Sequence, residues 1–197
     1  MARSVLHREL MRDALAREAD GQRALLAGDG EAARASLRAA ADLYRESWEA
    51  APSGSYGRLV GMLKASVLAG AGAGREAAQY ALAALGDEDG GSPTVAYVRA
   101  LSGLISGDDR AAGAWAPHMR SGSPAFDRTA EAIAALAARD QAAYVAALAE
   151  IVRDFEQRTE HLTGVAIADT ALMLERLAGD RGLRAGVRSA LLPGTPG

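Results

Sequence analysis

Apolar residues recur at helical spacing along most of this chain, in segments punctuated by Gly, Pro, Asp and Ser. Leu37, Ala40, Leu43, Tyr44 and Trp48 fall at i, i+3, i+6, i+7 and i+11, one broad stripe on a helix predicted over 31–50. A helix over 4–27 precedes it, and Pro52-Ser53-Gly54-Ser55 stops it. The next helix, 56–69, turns Leu59, Val60, Leu63, Val67 and Leu68 inward, and its partner, 76–85, is expected to bury Tyr80 and Leu82. The loop over 86–93 (GDEDGGSP) is too polar to pack a core; it marks sub-halves 1-86 and 94-193 within a single domain, 1-193. Helices over 94–106 and 110–119 follow, carrying Val95, Val98, Leu101, Leu104, Ile105 and Trp115. Ser121-Gly122-Ser123-Pro124 closes this pair, and Pro124 is suited to the first turn of the next helix. A fourth pair, 125–138 and 140–158, is joined around Arg139-Asp140. A last helix over 164–178 stops at Gly179-Asp180-Arg181-Gly182, a short segment reaches Leu191-Leu192-Pro193, and 194-197 reads as a disordered tail. No run alternates with the period of a strand.

Four short turns of one kind separate these helices: Gly28-Asp29-Gly30-Glu31-Ala32-Ala33, Ala73-Gly74-Arg75-Glu76-Ala77-Ala78, Gly107-Asp108-Asp109-Arg110-Ala111-Ala112 and, one residue shorter, Arg139-Asp140-Gln141-Ala142-Ala143. Starting at 28, 73, 107 and 139, they lie 45, 34 and 32 residues apart, near the length of a helix-turn-helix repeat. The fold class this implies is all-α, a stack of antiparallel helical hairpins with a C-terminal packing helix.

Composition agrees. Alanine supplies 47 of 197 residues, and alanine both favours helix and lets helices approach closely. All but one of the 22 basic residues are Arg, the exception being Lys64, a bias that reads as codon usage more than chemistry. Net charge is -3, so there is no global basic field for nucleic acid or an anionic membrane. Cysteine is absent, which removes disulfides and thiolate metal sites and fits a reducing compartment. With no apolar run of membrane-spanning length and no signal-peptide h-region, a cytoplasmic protein is expected.

No catalytic pattern stands out. Gly70-x-Gly72-x-Gly74-x-x-Ala77 matches GxGxxA, but a helix precedes it and no second strand follows, so a helix connector is expected in place of a dinucleotide site. Ser53, Ser55, Ser121 and Ser123 sit in turns without a nucleophile elbow. His7, His118 and His161 are far apart, and no metal or cofactor is expected. Glu156, Glu160 and His161 gather at one helix end, an acid–base cluster or simply a hydrated terminus. Asp169 interrupts the apolar run 165–174, so its carboxylate must be paired, must cap a helix that starts late, or must face a groove. Arg176, two helical turns on, is one partner it could have. Arg181, Arg184 and Arg188 share a face if their segment is helical, a local anion or nucleic-acid contact at most. Trp48 and Trp115 fall on apolar stripes and read as core, while Tyr56 and His118 flank loops and suit a recognition surface.

Ala24-Leu25-Leu26-Ala27-Gly28-Asp29, followed by Ala32-Ala33 and Ala40 to Tyr44, resembles a tetratricopeptide-like repeat, without that repeat's Trp, Leu-Gly and Tyr positions. The stretch from Val165-Ala166-Ile167-Ala168 through Leu177-Ala178-Gly179-Asp180 to Ser189-Ala190-Leu191-Leu192-Pro193 resembles the C-terminal end of the immunity protein 49 family. Asp169-Thr170 departs from the small apolar residues expected there, and the spacing before Leu-Leu-Pro is short. These resemblances imply a non-enzymatic scaffold that binds a protein partner, a toxin in the second case. The alternative from the residues is an enzyme or small-molecule binder with a pocket between helices near Asp169. The candidate site residues are then Tyr56, His118, Glu160, His161, Asp169 and Arg176.

Overall fold

Three of the four turns close their helices with one hydrogen-bond pattern. At Gly28-Asp29, Gly107-Asp108 and Arg139-Asp140 the first residue is left-handed (φ 76°, 80° and 55°). In each, the Asp N–H donates to the carbonyl five residues back (Ala24, Gly103, Ala135) and the left-handed residue's N–H to the one three back (Leu25, Leu104, Leu136). Each Asp then caps the following helix, its carboxylate accepting from the N–H of Ala32, Ala111 or Ala143. The second turn departs. There the helix begins at Ala73 itself, and Gly72 (φ 96°) precedes it with no side-chain cap.

The computed structural model describes residues 2–70, 72–88, 91–120 and 123–193. The expected turn at Ser121-Gly122 and the expected tail at 194-197 lie outside the described residues. Among those described, nine α-helices occur and no strand: α1 (Ala2–Leu26), α2 (Gly30–Ala50), α3 (Gly57–Ala69), α4 (Ala73–Leu85), α5 (Pro93–Ser106), α6 (Asp109–Trp115), α7 (Pro124–Ala137), α8 (Gln141–Glu156) and α9 (Asp169–Gly179). A 3-10 turn, Ala116–Met119, prolongs α6 where Pro117 interrupts it. The all-α expectation holds, and successive helices pack as pairs. No described helix is long and apolar enough to cross a membrane.

One apolar cluster runs from Ala14 in α1 to Ala178 in α9. Leu37, Leu59, Leu63, Leu101, Leu136 and Leu148 are wholly buried in it, each contributing about 2 kcal/mol. Small residues bring the helices close: a Cβ on Gly21 would stand 2.6 Å from Leu37 Cγ, and one on Gly61 2.7 Å from Tyr44 Cε1. Trp48 and Trp115 pack half-buried against the cluster's edge. Leu82 is a correction: it is 38% exposed, because α4 turns Ala78, Ala81 and Leu85 to the core.

The C-terminal part departs most from expectation. The helix drawn over 164–178 starts only at Asp169. Gly164 is left-handed (φ 72°), and 165–168 are non-helical, Ile167 N–H closing a tight turn onto Val165 O, with Val165, Ile167 and Ala168 buried while Ala166 faces solvent. Ala168 N–H donates to Leu191 O, joining this stretch to the C-terminal segment. That segment, 183–190, is also non-helical, with half-buried and exposed residues alternating and Gly186 left-handed (φ 65°). Arg181, Arg184 and Arg188 therefore share no helical face. Arg181 is instead a core tie, its side chain 6% exposed and bonded to Asp109 Oδ1, Leu104 O and Leu177 O.

Candidate binding cleft beside Asp169

Asp169 is the first residue of α9, and its partner comes from α3, which packs on α9. Lys64 Nζ lies 2.6 Å from Asp169 Oδ2 and 3.2 Å from Thr170 Oγ1, while Asp169 Oδ1 accepts from Thr170 N–H at 2.7 Å. The side chains of Lys64 and Asp169 are only 16% and 14% exposed. Arg176 is thus not the partner of Asp169; its guanidinium donates to the carbonyls of Val67 and Leu68 at the end of α3.

Behind the pair, α1 contributes polar groups to the interior. Glu18 and Gln22 are buried, and Tyr44 donates its hydroxyl to Glu18 Oε2 at 2.6 Å. Gln22 in turn accepts from Thr163 Oγ1 on the α8–α9 connector. Burial pushes the Glu18 carboxyl above its ordinary value of 4.5, against the pull of Lys64 and the Tyr44 hydrogen bond. Burial opposes the Lys64 ammonium, but the field of Asp169, with lesser help from Tyr97 and Glu18, more than restores it, so this lysine holds its proton more firmly than a free one. The Tyr97 hydroxyl is pushed up to about 12, mainly by burial.

Lys64, Asp169 and Thr170 line one part of a cleft of about 140 Å³; Arg128, Asp154, Arg158, His161 and Leu162 are among the residues that line the rest. That volume admits several waters or one small side chain, not a drug-sized ligand. Asp154 links Arg128 (2.5 Å) to Arg158 (2.5 and 3.1 Å), and Arg158 lies 3.8 Å over the Phe155 ring. His161 stacks on the same Phe155, with its Nδ1 buried and without a hydrogen-bond partner among the described residues. Leu162 stands 79% exposed beside these charges. The lining carries three cationic side chains against two carboxylates, in a chain that is acidic overall.

The structure therefore brings His161 and Asp169 into one cleft and leaves the other candidates out of its lining. Glu160 is exposed; α8 ends at Glu156, so Glu156 and Glu160 are not one helical face. Glu156 instead accepts from Ser189 Oγ. Tyr56 packs half-buried on Trp48 (centroids 5.7 Å apart), and exposed His118 lies beside Trp115. Among the described residues no group of three or more His, Cys, Asp or Glu is arranged to hold a metal. Sequence reasoning missed Lys64, Glu18, Gln22, Arg128, Asp154 and Arg158. Only Lys64 carried a signal, as the single lysine among arginines. Comparison of the chain with protein-family models, with curated proteins and with solved structures finds no match.

Proposed function

We propose that the protein is a non-enzymatic helical scaffold, a tetratricopeptide-like hairpin array, that binds a protein partner over the α8–α9 connector. The observation that carries this reading is Leu162, a large apolar side chain 79% exposed at the mouth of a small cation-rich cleft. An apolar anchor bordered by charged groups is the usual anatomy of a binding hot spot. The partner supplies a pocket for Leu162 and an acidic side chain that reaches Lys64, Arg128 and Arg158. The resemblance of 165–193 to the immunity protein 49 family makes a bacterial toxin, met in the cytoplasm and neutralised by occlusion, the partner of choice.

The test starts from the partner captured by the wild-type chain and purified. Leu162→Asp and Arg158→Gln should each weaken its binding by at least about tenfold; Leu162→Asp leaves the melting temperature unchanged, whereas Arg158→Gln, which gives up part-exposed bonds to Asp154, lowers it by about 2–4 °C. Unchanged affinity in both variants would sink the proposal. For the toxin assignment, the captured protein must arrest growth when expressed alone, and co-expression of this chain must restore it.

A second reading, a small-molecule site or enzyme pocket near Asp169, is favoured by the unpartnered Nδ1 of His161 in the same cleft. It predicts that His161→Ala abolishes binding of a metabolite while partner binding persists.

A further inference from the structure

Arg176 marks a second feature, separate from the cleft. It sits where two adjoining hollows, of about 510 and 270 Å³, share Gly70, Arg176 and Arg184. Arg34 of α2 lines the larger hollow and Arg75 of α4 the smaller. Among the described residues, four guanidiniums from three helices and the C-terminal segment thus line one groove, against a single carboxylate, Asp180. Among the described residues none of the four forms an ion pair.

Arg176 is half-buried, and its hydrogen-bond acceptors are the carbonyls of Val67 and Leu68. Its burial lowers its pKa, the mark of a desolvated cation without a matching anion. The backbone makes room for its neighbours. Arg34 Cδ passes 3.9 Å from where a Gly70 Cβ would stand, and the Arg184 guanidinium occupies the space of a Gly179 side chain, 2.7 Å from Nε. Gly70 and Gly72, both at positive φ, form the connector that the GxGxxA pattern marked. Because Gly72 carries no side chain, α4 opens beside this groove uncapped, whereas Asp caps α2, α6 and α8.

Between the arginines the larger hollow is aliphatic, with Leu25, Leu68, Leu172 and Pro193, and no aromatic ring lines either hollow among the described residues. A nucleotide base would find no stacking partner there. A volume near 510 Å³ falls within the ordinary range for small-molecule sites. We propose that this groove binds a small organic oxyanion with an aliphatic body, its carboxylate or phosphate head held by Arg176, Arg34 and Arg184. Guanidinium forks fit both heads, and the aliphatic walls exclude water around the body. This site stands independently of partner binding at the α8–α9 connector.

The experiment is calorimetric titration of the full chain with octyl phosphate, octanoate and inorganic phosphate, the octyl compounds kept below micelle formation. At least one octyl compound should bind at least about tenfold more tightly than inorganic phosphate, since burying an aliphatic body adds to the head's contacts. Binding of only one of the two names the head group and supports the proposal. Arg34→Gln/Arg184→Gln should weaken that binding by about tenfold or more with no change in melting temperature, because neither side chain donates a hydrogen bond to any of the described residues. Gly179→Ala, which displaces the Arg184 guanidinium, should weaken it too. Three results would overturn the proposal: no binding of either octyl compound up to about 1 mM, undiminished affinity in the double variant, or inorganic phosphate bound as tightly as both octyl compounds.

Discussion

Replacing Asp169 by Ala removes the carboxylate that Lys64 holds at 2.6 Å and leaves an ammonium, 16% exposed, with Thr170 Oγ1 as its remaining acceptor. Deleting one partner of a fully buried pair costs about 3–5 kcal/mol, because the survivor is charged and poorly solvated. Here both side chains keep a little solvent and Glu18 lends Lys64 some attraction, so about 2–3 kcal/mol is expected. For a chain of this size that lowers the melting temperature by about 5–10 °C. Lys64→Met strands the carboxylate in the same way. The double variant Lys64→Met/Asp169→Ala, with neither charge, should be less destabilised than the sum of the singles by about 2 kcal/mol. Urea titrations followed by far-UV circular dichroism measure all four proteins. Two results would refute the reasoning: singles that sum to the double within about 0.5 kcal/mol, or an Asp169→Ala protein as stable as wild type. The second, joined to a loss of binding in the cleft, would move Asp169 from a structural to a functional role.

Glu18 has a folded-state pKa above 4.5, so the folded protein binds more protons than the unfolded chain as pH rises from 4.5 to that raised value, and stability falls across the window. Glu18→Gln removes this loss; its stability relative to wild type should grow as pH rises above 4.5, and a pH-independent difference would count against the assignment. Arg181→Gln should cost about 3 kcal/mol in urea titration, since the lost guanidinium joins α9 to α5 and α6 from a side chain 6% exposed; a loss under about 1 kcal/mol would contradict it. Arg139→Gly should stabilise by about 0.5–1 kcal/mol, because Arg139 occupies the left-handed position (φ 55°) that Gly28 and Gly107 fill elsewhere, and its contact with Asp109 is long and exposed; a lowered melting temperature would refute this.

What the sequence discloses depends on how locally each feature is determined. α2 was readable because its buried residues, Leu37, Ala40 and Tyr44, alternate with Arg and Glu at helical spacing. The Asp-capped turns were readable because a left-handed residue followed by Asp is a local requirement. The start of α9 was not, since 165–174 is apolar almost throughout and a run without polar contrast has no visible period. Asp169 stood out for the same reason, as the one charge in that run. Its partner did not, because Lys64 lies 105 residues away and meets it only through the packing of α3 on α9. Arg128, Asp154 and Arg158 look in sequence like any solvated helix face. Glu160 and His161 are adjacent, yet only His161 reaches the cleft, because the chain has already left its helix.

Both candidate sites hang on α9. Its first residue, Asp169, lines the cleft; Leu172 and Arg176, further along the same eleven-residue helix, line the groove. Arg181 ties the end of the helix to α5 and α6. Between them Glu175, 5% exposed and without an ion-pair partner among the described residues, accepts from Tyr144 OH, Ala185 N–H and Gly186 N–H. These bonds hold the chain just after Arg184 against α9, and Gln141 holds the carbonyl of Arg184 itself. A buried carboxylate is costly unless its lone pairs are filled. Glu175 fills them with the Tyr144 hydroxyl and with backbone N–H groups of the helix-free C-terminal segment. The non-helical C-terminal segment is therefore positioned by side chains of α8 and α9, and the stance of Arg184 over the groove follows from their packing. Charges buried inside this alanine-rich core act as its registry: Lys64 with Asp169 sets α9 against α3, Arg181 with Asp109 sets it against α6, and Glu175 sets the C-terminal segment against both α8 and α9.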